Sequence, residues 1–299
     1  MSTRVCTVVV TYNRRALLAK CLLALENQAR RPDTILVVDN CSTDGTDAML
    51  TEQFGHLSHL RLQTNSGGAG GFHEGMKWAY ERGYDWIWVM DDDVEATPDA
   101  LATLLEFQSL SDFIHPRRFD DLGGPVAWEG LLDPTGLSKK AFPSDISFEA
   151  GRAWIPVNYG CFEGALIHRR VVDRIGLPDK RFFVQGDDQI YGYQAARCTN
   201  VIYVNKLCIR RQIPESKEIN ERKCYIAFRN RFLTYEHLVS EALPMSQISL
   251  WLQNFLLLTW CVRTTKPRYP LNYLRNVRGM LTGMWDGARG RYGAPPWVR

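Results

Sequence analysis

The chain has 299 residues, of which 45% are hydrophobic and 23% are charged, and its formal net charge is +3 at pH 7. These proportions are those of a globular protein long enough to bury a substantial core, and they exclude a disordered or fibrous chain. The eight cysteines include no CxxC pair, so free thiols in a reducing compartment are expected. The chain starts without a basic leader and apolar signal region, which favours the cytoplasm.

Strand-like and helix-like segments alternate along the first third of the chain. The predicted strands are residues 5–10, 34–38, 60–63 and 86–90. The predicted helices are residues 16–26, a segment running through Met49, residues 74–82 and residues 98–107. This alternation predicts βαβ units and a mainly parallel sheet. Ligands of such sheets bind beyond the carboxyl ends of the strands, which is where Thr11, Asp39, Asn65 and Asp91 fall.

The second half of the chain is less regular. Residues 112–155 contain turn signals and no clear element. The predicted strands that follow are residues 158–168, 182–184 and 201–204. The predicted helices are residues 169–175, 186–197 and the aromatic segment 223–237. These elements continue the α/β pattern at lower regularity.

Three consecutive carboxylates, Asp91, Asp92 and Asp93, follow the apolar strand Trp86–Met90. Adjacent like charges at the mouth of a buried strand require compensation, and a hard divalent cation supplies it because it prefers carboxylate oxygens. In an extended segment Asp91 and Asp93 project to one face and Asp92 to the other. The triplet therefore predicts a metal site, and the alternative is a solvated acidic turn.

A glycine-rich stretch, Asn65–Phe72, precedes the predicted helix that starts at Glu74. Glycines let the backbone come close to a ligand, and amides at a helix start suit phosphate. The stretch matches neither GxGxxG nor a P-loop, so a flexible turn is the alternative.

Two further carboxylates, Asp187 and Asp188, start the predicted helix after Phe182–Gly186. An aspartate at a helix start is often only a cap, and Asp187 fits that interpretation. Asp188, one residue later, is more available to act as a general base.

The C-terminal part of the chain is basic. Residues 263–299 contain eight Lys or Arg and one acid, so this tail carries +7 and residues 1–262 carry −4. Residues 248–262 form a mostly apolar run that is too short for a membrane span, which needs about 20 apolar residues. The pattern suits a helix lying in a membrane interface. A helical subdomain packed on the core or on another subunit is the alternative.

Four of these motifs together resemble glycosyltransferase family 2, whose members have the GT-A fold. They are Val8–Arg14, Val37–Asp44, the acidic triplet and Gly186–Asp188, in the family's order over residues 4–235. Three further segments are similar to bacterial galactofuranosyltransferases that begin galactan chains on a lipid-linked acceptor: Asn65–Phe72, Gly83–Trp88 and Phe228–Arg231. The resemblance implies an α/β, Rossmann-like GT-A domain, residues 1–238, and a helical, basic appendage, residues 239–299.

The resemblance also implies a role for individual residues on the donor side. The nucleotide base would lie among Thr11, Asn13 and Asp39. The remainder of the nucleotide sugar would be bordered by Arg14, Asn65, Gly70, Gly71, Asp91 and Asp92. Asp91 and Asp93 would hold Mg²⁺ or Mn²⁺ on the diphosphate.

On the acceptor side, the resemblance implies a strand at Gly160–Ala165 that places Glu163 near the sugar, with Trp128 and Asp187 close by. Asp188 would be the catalytic base. The sequence departs from many relatives in one respect, because Cys208–Gln212 lacks the metal-associated His. Either the metal has fewer protein ligands, or Arg211 contacts phosphate, or the enzyme works without a metal.

The function that the resemblance implies is inverting, metal-dependent transfer of galactofuranose from UDP-galactofuranose to a lipid-linked or polysaccharide acceptor in cell-envelope glycan synthesis. A dTDP-rhamnose-dependent rhamnosyltransferase is one alternative, and a non-catalytic nucleotide-sugar-binding or scaffold protein is another. A peripheral position on the inner face of the cell membrane is expected, and a homo-oligomer stays open. Nucleic acid is not an expected partner, because the basic charge is confined to the tail.

Overall fold

The structure is a computed structural model that describes residues 3–133, 138–141, 148, 151–214, 218–240, 246–264 and 270–298. Its first third contains, in order, β1 (Val5–Thr11), α1 (Arg15–Glu26), β2 (Thr34–Asp39), α2 (Thr46–Gln53), β3 (Ser58–Arg61), α3 (Gly67–Glu81) and β4 (Trp86–Asp91). The four strands are parallel and lie in the order β3-β2-β1-β4. Their carboxyl ends therefore meet at one edge of the sheet.

The middle of the chain extends the sheet with strands of mixed direction. Its elements are β5 (Val94–Ala96), α4 (Ala100–Leu105), β6 (Phe113–Phe119), β7 (Pro125–Val126), β8 (Gly130–Asp133), β9 (Ser138–Ala141), β10 (Trp154–Pro156), β11 (Leu166–His168), α5 (Arg169–Ile175), α6 (Asp187–Ala195) and β12 (Val201–Arg211). Strand β11 is antiparallel to β4 and β6, whereas β12 is parallel to β6. Strand β5 returns from β4 to pair with the end of β12, which brings β12 to the acidic triplet.

Apolar side chains cover both faces of the sheet. Along β1, Val9 joins the core beneath α1 and α4, whereas Val8 and Val10 join the core beneath α3. A strand that is buried on both faces needs apolar residues at every position, which explains the uninterrupted apolar runs of β1, β2 and β4. The predicted GT-A class is confirmed, with a sheet that is mixed in its second half.

Two predicted strands are wrong. Only Leu166–His168 of the segment 158–168 is a strand, and Gly160–Ala165 is irregular chain. Residues 182–184 form no strand either; Phe182 ends a 3-10 turn, and Phe183 has a φ of +66°. Apolar runs in both places indicated strands, but they are buried as irregular backbone.

The helix predicted from Glu74 begins seven residues earlier, at Gly67. A Cβ on Gly71 would lie 2.4 Å from Val10 Cγ1, and one on Gly75 would lie 2.3 Å from Val8 Cγ1. The glycines therefore let α3 pack directly on β1, and the expected open loop is instead the first turn of a helix.

Three helices complete the described chain: α7 (Glu221–Ser240), α8 (Gln247–Thr264) and α9 (Pro270–Ala288). Helix α9 packs closely on α7, since a Cβ on Gly279 or Gly283 would come within 2.3 Å of an α7 carbonyl oxygen. Phe228, Phe232 and Met280 form the apolar core of this bundle. Within the described residues, none of the helices combines the length and apolarity needed to cross a membrane.

Candidate active site

The carboxyl end of β4 carries the acidic triplet, and two of its carboxylates meet an acid from a distant part of the chain. Asp91, Asp93 and Glu163 each place a carboxylate oxygen within 4.8 Å of the other two. Asp93 and Glu163 are buried, and Asp91 is partly exposed. Clustered carboxylate oxygens of this kind suit a hard divalent cation, so these three residues fit Mg²⁺ or Mn²⁺.

Asp92 is directed to the end of β1 instead. Its Oδ2 accepts a hydrogen bond of 2.7 Å from the Thr11 hydroxyl. The guanidinium of Arg14 lies 3.1 Å from Asp92 Oδ1 and 2.9 Å from Asp93 Oδ2. The protein therefore supplies part of the positive charge that the sequence pattern assigned entirely to a metal.

Burial raises the pKa values of two carboxylates in the cluster, those of Asp91 and Glu163. Burial, and next the carboxylate of Glu163, raise the pKa of Asp91 well above its usual value. Burial raises the pKa of Glu163 to about 7, against the opposing charges of Arg118 and Arg211. A bound cation would favour the ionised forms and displace these protons.

A buried ion-pair network holds Glu163 from the side away from β4. Arg118 and Glu129 form a bidentate ion pair with hydrogen bonds of 2.7 and 2.6 Å, and neither side chain is exposed. The Nε atoms of Arg118 and Arg211 both lie 3.6 Å from Glu163 Oε2. The Trp128 ring lies 5.3 Å from the Arg118 guanidinium carbon and 4.6 Å from that of Arg211. Trp128 and Glu163 therefore lie against the same two arginines.

Arg118 and Glu129 were not among the residues predicted from the sequence. The available signal was the segment Phe113–Phe119, where two arginines and His115 interrupt a strand that is largely buried. A buried arginine needs an acidic partner, but the partner follows in a stretch without regular spacing, so the pair could not be assigned from the pattern.

Gln212, in the segment Cys208–Gln212 that lacks the expected His, packs on the back of the acidic triplet. Its backbone N–H donates to the Asp93 carbonyl at 2.8 Å, and its side-chain amide donates to the Leu17 carbonyl at 3.0 Å. Arg211 is the neighbouring side chain that reaches Glu163. The end of β12 thus places the Arg211 guanidinium beside the carboxylate cluster.

At the ends of β1 and β2, the side chains expected to bind the nucleotide accept hydrogen bonds from the loop that follows β2. Asn13 has a φ of +54°, and its Oδ1 accepts a hydrogen bond of 2.7 Å from the Thr43 N–H. Asp39 is fully buried, and its Oδ1 accepts from the Ser42 N–H at 2.9 Å. Among the described residues, Asp39 Oδ2 has no hydrogen-bond partner, although Arg61 Nη1 lies 3.4 Å away. This buried oxygen remains available to accept a bond from a ligand.

The start of α3 borders the same edge of the sheet. Asn65 Oδ1 accepts a hydrogen bond of 2.8 Å from the Gly67 N–H, and Asn40 donates to the Gly67 carbonyl at 3.1 Å. Gly70 and Gly71 are buried within the helix. A Cβ on Gly70 would meet Ser66, and one on Gly71 would meet Val10 of β1. Close packing therefore explains these glycines without any contact with a donor.

Asp187 and Asp188 form the first turn of α6, after Gly186 with a φ of +102°. Asp187 is buried, and burial, followed by the charge of Asp188, raises its pKa well above the usual value. Burial also raises the pKa of the Cys161 thiol, and the carboxylates of Glu163 and Asp188 both add to that rise. Asp188 and Glu163 therefore both act electrostatically on the same buried thiol.

The arrangement of strands and helices is that of the GT-A class, and sequence comparison identifies the family. Residues 6–176, more than half of the chain, match the sequence model described as "Glycosyl transferase family 2". The chain belongs to this family, and the predicted resemblance is confirmed.

The chain is also similar to proteins of named activity. Galactofuranosyltransferase GlfT1 of Mycolicibacterium smegmatis is 36% identical over 197 residues, which cover 62% of each chain. GlfT1 of Mycobacterium tuberculosis is 38% identical over 206 residues, or 63% of each chain. An undecaprenyl-phosphate mannosyltransferase of Micrococcus luteus is 35% identical over 72% of this chain and 87% of that protein. The match spans less than two thirds of the length of either GlfT1.

Solved structures with low sequence identity share the fold. TarS 1–349 of S. aureus in complex with UDP-GlcNAc has a TM-score of 0.55 at 16% identity, over 97% of this chain and 93% of that one. Mannosyltransferase PcManGT of Pyrobaculum calidifontis, in complex with GDP-Man and Mn²⁺, has a TM-score of 0.55 at 15% identity, over 97% and 87%. At this identity the likeness concerns the fold alone.

Proposed function

We propose that the protein is an inverting glycosyltransferase that moves galactofuranose from UDP-galactofuranose to a hydroxyl of a lipid-linked or polysaccharide acceptor. The observation that carries this proposal is the meeting of Asp91, Asp93 and Glu163 next to Thr11 and Arg14, two of the expected nucleotide-side residues. The similarity to proteins named galactofuranosyltransferase supports the choice of sugar. UDP as the nucleotide rests on the resemblance of the motifs.

The residues fit a divalent metal, Mg²⁺ or Mn²⁺, held by Asp91 and Asp93 with Glu163 as a third oxygen ligand. When bound, such a cation neutralises the charge that develops on a departing diphosphate. Arg211 lies beside Glu163 at 3.6 Å and would add positive charge near the same phosphates. Asp39 Oδ2 would accept a hydrogen bond from the nucleotide base.

Asp188 supplies the proton chemistry of the proposed reaction. Its carboxylate takes the proton of the acceptor hydroxyl while the oxygen attacks the anomeric carbon. The bond from that carbon to the diphosphate oxygen breaks in the same step, and the electron pair leaves with the nucleoside diphosphate. A single displacement inverts the anomeric configuration, because attack and departure occur on opposite faces of the sugar.

The test is a donor panel read as release of nucleoside diphosphate in the presence of a polyprenyl-diphosphate-linked saccharide. We expect UDP release from UDP-galactofuranose with Mn²⁺ or Mg²⁺, and loss of that release with chelator. Asp188→Asn should lower the rate by about 10²–10⁴-fold and leave UDP binding close to that of the parent. A parent-like rate in Asp188→Asn would show that another group is the base.

The stereochemistry has a separate test. Proton NMR of the product formed in the first turnovers reports the configuration at the new glycosidic bond. Inversion is expected, and retention of the donor configuration would refute a single displacement.

Two other functions are distinguished by the same panel. Preference for dTDP-rhamnose would identify a rhamnosyltransferase of the same family. Binding of nucleotide sugars without turnover of any donor would instead favour a non-catalytic binding or scaffold protein.

The C-terminal segment, residues 239–299, would place the enzyme on the inner face of the cell membrane. One stripe of α8 exposes five large apolar side chains by 56% to 81%: Ile248, Leu252, Phe255, Leu256 and Trp260. Arg263 follows the stripe, and an apolar helix face with basic ends is typical of interfacial helices. Such a surface would bring the site to a lipid-linked acceptor.

Membrane association is tested by sedimentation with anionic vesicles. Leu252→Ser combined with Phe255→Ser should reduce the bound fraction several-fold. Leu122→Ser is the control, because Leu122 is 91% exposed on the turn between β6 and β7 and not on α8. Equal sedimentation of the two variants would count against a lipid-facing α8 and favour a protein partner or a homo-oligomer.

A further inference from the structure

Three of the four residues before α6 adopt an unusual backbone conformation. Phe183, Gln185 and Gly186 have φ values of +66°, +67° and +102°. Residues with a side chain rarely occupy this left-handed region, and they persist there only when surrounding contacts hold them. The segment Phe183–Gly186, here called the base loop, leads directly into Asp187 and Asp188.

Asn230, on α7, binds the carbonyl groups of the base loop and of the residue before it. Its side-chain nitrogen lies 3.2 Å from the Phe182 oxygen, 2.9 Å from the Val184 oxygen and 2.7 Å from the Gln185 oxygen. Asn230 is only 5% exposed. One buried amide thus engages three carbonyls within four residues.

Arg229 fixes the orientation of that amide. Its Nε donates to Asn230 Oδ1 at 3.0 Å, which turns the amide nitrogen toward the loop. Its Nη2 donates to the Phe182 oxygen at 2.7 Å, and its Nη1 donates to the Gly293 oxygen at 2.7 Å. Arg229 is 1% exposed. All of these loop contacts are made to backbone, so they specify the path of the chain rather than the identity of its side chains.

The base loop touches the start of α3 on its other side. The Ala69 N–H donates to the Phe183 oxygen at 3.1 Å. A Cβ on Gly67 would lie only 1.9 Å from the same oxygen. The loop is therefore held between α7 and the helix start that borders the expected donor site.

We propose that Arg229 and Asn230 are positioning residues that hold the base loop in its left-handed conformation and thereby aim Asp188 at the acceptor hydroxyl. This inference rests on the proposed function through the assignment of Asp188 as the base. Asp188 follows Gln185 by three residues, so relaxation of Gln185 to a negative φ would rotate the first turn of α6. A misplacement of a reacting group by about 1 Å is enough to slow a reaction by about 10²-fold.

The main test compares Asn230→Ser with Asn276→Ser. Asn276 is also 5% exposed and also donates to backbone, in its case to the carbonyl of Ile219, but it lies on α9 rather than beside the base loop. We expect Asn230→Ser to lower kcat for UDP-galactofuranose by about 10–100-fold, with the Kd of UDP and Mn²⁺ within about two-fold of the parent. Asn276→Ser should keep the parent kcat even if its Tm changes as much as that of Asn230→Ser. Equal kcat values in the two variants would overturn the proposal.

If Asn230→Ser does not fold, Arg229→Lys provides the same comparison. Lysine keeps the charge but cannot make the forked contact to Asn230 and the Phe182 carbonyl. A fall in kcat with unchanged UDP binding is again expected, and a parent-like kcat would overturn the proposal.

A double variant shows whether Asn230 acts through Asp188. If it does, Asp188→Asn combined with Asn230→Ser should be no slower than Asp188→Asn alone, because the group to be positioned is already absent. Multiplication of the two single effects would refute the positioning role. A parent-like rate in Asp188→Asn alone would refute the proposed base instead, so the two failures are distinguishable.

Discussion

The two halves of the candidate site are held by different forces. The half formed by residues 11–93 lies at the ends of parallel strands, so backbone hydrogen bonds fix its register. In the half formed by residues 118–230, Glu129, Glu163 and the base loop lie on irregular chain, where buried ion pairs and side-chain amides hold the backbone. Changes of packing volume should therefore lower the stability of the first half. Changes of charge or hydrogen-bonding capacity should lower the stability of the second.

Removing one partner of the Arg118–Glu129 pair should give the largest loss of stability. Glu129→Gln leaves a fully buried guanidinium without its two-fold carboxylate partner, and breaking a buried pair in this way costs about 3–5 kcal/mol. Replacing both partners, as Arg118→Met with Glu129→Leu, should recover much of that loss. Urea denaturation measures both values. A cost below about 1 kcal/mol for Glu129→Gln would be inconsistent with a half held by charge.

The strand-end half is tested by adding volume at the contact between α3 and β1. Gly71→Ala places a methyl group 2.4 Å from Val10 Cγ1, and overpacking of this kind costs about 1–3 kcal/mol. Gly68→Ala is the matched control, because a Cβ there meets no atom within 4 Å. Alanine in an open helical position should be neutral or stabilising by about 0.5–1 kcal/mol. Similar unfolding energies for the two variants would contradict the packing argument.

The pH dependence of the unfolding free energy should reveal the buried carboxyl group of Glu163, in the second half of the site. The pKa of Glu163 rises from 4.5 to about 7 on folding, so between these values the folded state holds a proton that the unfolded state has lost. The stability that this proton contributes is fully present below pH 4.5 and is lost as the pH rises through 7. Relative to Glu163→Gln in chelator, the parent should lose unfolding free energy across this window. A constant difference would contradict a buried, protonated Glu163.

The half formed by residues 11–93 could be located from the sequence, because each of its polar residues follows an apolar run. Thr11, Asp39 and Asp91 end three such runs, and parallel strands bring their carboxyl ends together. The glycines of α3 were misassigned because local preference favours a turn, whereas close packing on β1 requires the absence of a Cβ. The Arg118–Glu129 pair and the base loop could not be predicted, since they depend on contacts between distant segments that have no periodic pattern.

The account depends on a cation held jointly by Asp91 and Asp93 from one half of the site and Glu163 from the other. The most direct measurement is anomalous diffraction at the manganese edge from crystals grown with Mn²⁺ and UDP. We predict one manganese peak within coordination distance of all three carboxylates and of the diphosphate. A diphosphate bound at the ends of β1 and β4 without manganese at this cluster, or manganese bound elsewhere, would contradict the account.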